Sequence, residues 1–139
     1  MADVVVDTST AVKWYIPEQH HEQARALRDD FLNGKHDLCA PALMPFEAVN
    51  ALTYSGHYDG ERLNEAAHSL DNYGIELVSF GSVDPIAEIV STVDITAYDA
   101  AYVALAVERD GTAYTADGTL LQDLEGSEYE DAVAHIQTY

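Results

Sequence analysis

Residues 4 to 7 read Val-Val-Val-Asp, three β-branched apolar side chains followed by an acid. An unbroken apolar run without polar alternation is the pattern of a strand covered on both faces, and such strands belong to parallel sheets sandwiched by helices. The chain repeats the theme. Further strand patterns are read at 37–40, 75–80, 112–116 and 132–136. Between them lie helical patterns at 8–15, 19–32, 41–54, 60–72, 83–93, 98–108 and 118–124, several closed by Gly or by Asn-Gly. Strands that alternate with helices specify a three-layer α/β domain, here with a central, mostly parallel sheet of five strands flanked by helices. No repeat or long linker interrupts it, so residues 1–139 are read as one domain.

Composition narrows the chemistry. Hydrophobic residues are 47% of the chain, enough for a packed core and too many for a disordered segment. The single cysteine, Cys39, excludes an internal disulfide and a thiolate zinc site. The apolar runs are too short to span a bilayer, and Met1 leads straight into a strand pattern, not an apolar leader. No membrane association is expected, and a cytoplasmic location is. Against 25 acids stand 6 bases, of which only Lys13 and Lys35 are lysines, for a net charge of −19. The acids are scattered through periodic sequence, unlike an acidic tail. Self-repulsion of that size opposes compaction in dilute buffer and is screened in molar salt, where the Debye length falls to about 3 Å. The surface therefore reads as that of a halophilic protein, and its charge reports the solvent without excluding an RNA substrate.

In doubly wound sheets ligands bind beyond the carboxyl ends of strands, where the strand order switches. Asp7 and Asp117 both end strand patterns there, and either could instead be a helix N-cap. Glu47, with Asn50 one turn on, falls early in a helix, where an acid also suits the dipole. Asp99 follows Thr96 at capping-box spacing. Four carboxylates in one crevice would repel, by about 4 kcal/mol for a pair 4 Å apart at an effective dielectric near 20. Protons or a divalent cation must relieve that, and oxygen-only ligands select hard ions such as Mg²⁺ or Mn²⁺.

The segments "VVVDTSTAVKW", "APALMPFEAVNAL", "TAYDAAYVALA" and "AYTADGTLL", in this order and spacing, resemble the PIN-domain ribonucleases and, within them, the VapC toxins of type II toxin–antitoxin systems. The closing "AVAHI" is similar to the family's last strand. The resemblance implies that Asp7, Glu47, Asp99 and Asp117 are the metal-binding, catalytic acids, with Ser9 and Thr115 as supporting hydroxyls. It implies a Mg²⁺- or Mn²⁺-dependent endoribonuclease that leaves a 5′-phosphate, neutralised by a small VapB-like antitoxin and dimeric through helices away from the acids. A catalytically silent PIN module and a housekeeping RNA-processing nuclease are the alternatives.

Other residues carry less. His20, His21 and Glu22 point different ways on a helix and do not form a metal site. Cys39 reads as a small buried hydrophobe. Trp14, Tyr15, Ile16 and Phe31 read as core or, in part, as a groove for an antitoxin tail. Of the bases, Lys13, just after the first strand, is the candidate for a substrate phosphate. A haloacid-dehalogenase-type phosphotransferase would need an acid where Ser9 stands, and a receiver domain would need a lysine within 112–117. Both are excluded.

Overall fold

A computed structural model describes residues 3–139; the reading of Met1 lies outside the described residues. Five strands form one sheet, β1 (Asp3–Val6), β2 (Asp37–Pro41), β3 (Glu76–Val78), β4 (Thr112–Thr115) and β5 (Val133–His135), in the order β3-β2-β1-β4-β5. All four pairings are parallel, with Val5 opposite Cys39 on one side and Ala113 on the other. Seven α-helices flank the sheet: α1 (Thr8–Ala11), α2 (His21–Leu32), α3 (Met44–Tyr54), α4 (Gly60–Asp71), α5 (Asp84–Thr92), α6 (Ala97–Glu108) and α7 (Gly118–Leu124).

The order places β1 at the centre. The chain winds outward through β2 and β3 on one side, then returns to add β4 and β5 on the other. The switch point is therefore the crevice between β1 and β4. Val5 and Val6 are fully buried, as an unbroken apolar run in a central parallel strand requires. Across β1, β2 and β4 lies α6, backed by α5. Residues Ala100 to Ala106 of α6 are all buried, and its alanines let the helix approach the strands closely. No single described helix is long and apolar enough to cross a membrane, and α5 and α6 meet at a bend of 111°.

Most boundaries differ from the sequence reading by one to three residues. Two differences have clear causes. The helix expected over 8–15 is a single α-turn, Thr8–Ala11, tightened into a 3₁₀ turn over Val12–Trp14. The helix expected to start at Pro41 begins at Met44, because Pro41 closes β2, its register partner being Val78. Trp14 belongs to the core: it is 5% exposed, its Nε1 donates to the Ala24 carbonyl at 2.8 Å, and its ring meets Tyr73 edge-on at 5.1 Å. The groove alternative for Trp14 is thereby corrected, since a large indole with one satisfied N–H gains most from burial.

Candidate active site

Asp7 follows the last residue of β1 and caps α1, its carboxylate accepting the Ser9 amide at 3.3 Å. The same oxygen, Oδ2, accepts the hydroxyl of Ser9 and, at 2.9 Å, that of Thr115 from the end of β4. Each hydroxyl is itself held by a backbone amide of the β4–α7 turn. Ala116 N–H donates to Ser9 Oγ at 2.8 Å, and Asp117 N–H to Thr115 Oγ1 at 3.0 Å. So one oxygen of Asp7 is clamped by three donors. The other, Oδ1, accepts no hydrogen bond among the described residues. Asp7 is 8% exposed, and burial pushes its carboxyl above the usual range against the pull of the Ser9 and Thr115 bonds.

The same division recurs. Asp117 caps α7, its Oδ1 accepting the amides of Thr119 at 3.0 Å and Leu120 at 3.3 Å. Glu47, in the first turn of α3, accepts on Oε1 the hydroxyls of Thr8 at 2.9 Å and Tyr102 at 2.6 Å. In neither residue does the second oxygen accept a bond among the described residues. Thr96 caps α6 by accepting the Asp99 amide at 3.1 Å, so this cap draws on the Asp99 backbone and not on its carboxylate. Burial, then the charges of Asp7, Asp117 and Glu47 in that order, raise the Asp99 carboxyl above its ordinary value. The four acids thus share one electrostatic field, although among the described residues no three His, Cys, Asp or Glu side chains close to chelating distance.

Asp7 and Asp117 are both helix caps, and capping does not use up either carboxylate. A cap needs one carboxylate oxygen, and the other stays available. Thr8 and Tyr102 were missed by sequence reasoning, although the signal existed: Thr8 follows Asp7, and Tyr102 stands one helical turn after Asp99. Tyr102 is 2% exposed, and burial followed by its bond to Glu47 raises its phenol well above the ordinary value.

The remaining candidates lie elsewhere. Lys13 is buried with its ammonium on Glu18 Oε1 at 2.9 Å, facing an acid. Asn50 is exposed on α3. His20 stacks edge-on with His135 at 5.4 Å, whereas His21 donates from Nδ1 to the Glu18 carbonyl at 2.8 Å, so the two rings diverge as adjacent residues should. Cys39 is buried, which pushes its thiol up to about 11 and leaves it inert.

A family model described as the PIN domain matches residues 4–124, most of the chain and all four acids. The chain belongs to the PIN-domain family. The PIN domain is generally a nuclease fold. The crystal structure of PAE2754 from Pyrobaculum aerophilum is similar to this PIN domain with a TM-score of 0.67 at 18% identity, over 99% of this chain and 91% of that one. At that identity the likeness concerns the fold. No curated protein matches the sequence.

Proposed function

We propose that this PIN domain is a divalent-metal-dependent endoribonuclease and the toxin of a VapC-type toxin–antitoxin pair. The observation that carries the nuclease reading is the buried Asp7, fixed by three donors on one oxygen and grouped with Glu47, Asp99 and Asp117 at the switch point. The all-carboxylate donor set fits Mg²⁺ or Mn²⁺, and each hydrogen-bonded acid keeps one oxygen free of protein donors. Such an ion, when bound, neutralises phosphate charge and acidifies a water.

The chain's own residues do the rest. Asp7, Glu47, Asp99 and Asp117 hold the ion. Ser9 and Thr115 orient Asp7, while Thr8 and Tyr102 orient Glu47. This is the outer-shell support that carboxylate ligands need. The order and spacing of the four quoted motifs support the toxin assignment, with a small VapB-like antitoxin as partner, a homodimer as the assembly, residues 1–139 as one domain and the cytoplasm as its place. Lys13 keeps a part in substrate binding only if RNA displaces Glu18.

The test is cleavage of a mixed RNA pool by purified protein in molar KCl with Mg²⁺ or Mn²⁺. We expect cleavage that EDTA abolishes and that Asp7→Asn lacks. Cleavage that survives either treatment would overturn the mechanism, and binding without cleavage in the wild type would favour a silent PIN module. Growth arrest on expression, relieved by the adjacent small reading frame, tests the toxin assignment separately.

A further inference from the structure

An RNA nuclease with a charge of −19 has few cations with which to hold a polyanion: of its six lysines and arginines four are ion-paired, and only Arg25 and Arg62 have no carboxylate partner among the described residues. Lys13, Arg28, Lys35 and Arg109 are ion-paired with Glu18, Asp29, Asp30 and Glu76 at 2.9, 3.1, 3.3 and 2.7 Å. Arg62 lies over the Tyr58 ring at 4.6 Å and donates to the His57 carbonyl. In high salt even free cations would contribute little, since counterion release loses its driving force.

Two large side chains that neighbour the acids in sequence stand in solvent. Phe46, next to Glu47 in the first turn of α3, is 78% exposed; Tyr98, next to Asp99 in the first turn of α6, is 65% exposed. Helical side chains lean toward the N-terminus of their helix, here the end that carries the carboxylates. Tyr102 of α6 donates to Glu47 of α3, so the two helix starts adjoin. An isolated exposed apolar residue needs no explanation. Two aromatic rings chain-adjacent to two acids of one cluster, in a protein with six bases against 25 acids, do.

Resting on the nuclease reading above, we propose that Phe46 and Tyr98 are nucleobase-stacking platforms that bind single-stranded RNA across the carboxylate cluster. Stacking needs an unpaired base with both faces free, so the two rings would engage bases of a loop or a single strand. Binding then comes from uncharged ring contact, which molar salt does not screen.

The test uses Asp7→Asn protein, so that RNA is bound and not cut, and a short single-stranded RNA carrying 2-aminopurine, whose fluorescence is quenched on stacking. We expect quenching, affinity that changes little across a KCl series, and no binding of the same sequence as a duplex. Phe46→Ala and Tyr98→Ala should each weaken binding roughly 5- to 100-fold, from the ordinary worth of one base stack. Phe46→Trp and Tyr98→Phe should retain it. Tyr54→Ala, removing an equally exposed ring at the far end of α3, should change nothing. Unchanged binding in both alanine variants would overturn the proposal, as would affinity that falls steeply with salt or equal loss in Tyr54→Ala. Loss of a co-expressed protein partner with RNA binding intact would also overturn it, assigning the face to protein docking. Quenching by a wild-type protein that cuts no RNA would keep the platforms and remove the nuclease reading; normal cleavage with an unchanged KM in both alanine variants would do the reverse.

Discussion

The phenolic hydroxyl of Tyr102 donates to Glu47 Oε1 at 2.6 Å, joining residues 55 positions apart, and Thr8 Oγ1 closes the triangle at 2.7 Å from Tyr102 and 2.9 Å from Glu47. Glu47 Oε1 accepts from both hydroxyls. That fixes the rotamer of Glu47 and directs its other oxygen away from the protein donors.

Tyr102→Phe keeps the buried ring and removes the donor. It should lower Mn²⁺ affinity about 10- to 100-fold, the usual effect of losing an outer-shell partner. Calorimetric titration of Mn²⁺ into the variant measures this without relying on cleavage. Stability should change by only about 1 kcal/mol, because Thr8 still donates to Glu47.

Asp7 and Asp99 have carboxyls raised above 3.8 in the folded, metal-free protein. The folded state then holds protons that the unfolded chain has released. Their contribution to stability is present below about pH 4 and is lost as pH rises through the raised folded values. Asp7→Asn removes one such group and should flatten this fall, so the variant gains on the wild type as pH increases toward neutrality. Thermal melts of both proteins in EDTA from pH 4 to 8 check the sign. Divalent affinity of the wild type should rise over the same window, since the ion must expel those protons.

Gly111 ends the turn from α6 into β4, and a Cβ there would sit 2.3 Å from the Asp3 carbonyl oxygen. Backbone cannot yield as a flexible side chain can, so Gly111→Ala must push β1 from β4. We expect a loss of about 1–3 kcal/mol in urea unfolding. Activity should fall with it, because Asp7 on β1 is held by Thr115 on β4.

Salt should act on the whole molecule. With a net charge of −19, the folding midpoint should climb as KCl is raised from about 0.1 M, where the Debye length is about 10 Å, to about 1 M, where it is about 3 Å. Equal stability in dilute and molar KCl, measured by circular dichroism, would show that self-repulsion is not a factor.

Much of this molecule was legible in one dimension because it depends on local pattern. The unbroken Val4–Val6 run specifies a central parallel strand, the Gly and Asn-Gly stops delimit the helices, and the acids at strand and helix ends are where a switch-point crevice recruits ligands. Boundaries slipped where tertiary pairing outweighed propensity, as when Pro41 joined β2 instead of starting α3. Tertiary structure alone decided the contacts between residues far apart in sequence. It set Thr115 on Asp7 across 108 positions and Tyr102 on Glu47, buried Lys13 against Glu18, and left Phe46 and Tyr98 in solvent while Trp14 went to the core. Periodicity reports which face of an element is apolar; which partner covers that face, and which oxygen of a carboxylate stays free, follows only from how the elements pack in three dimensions.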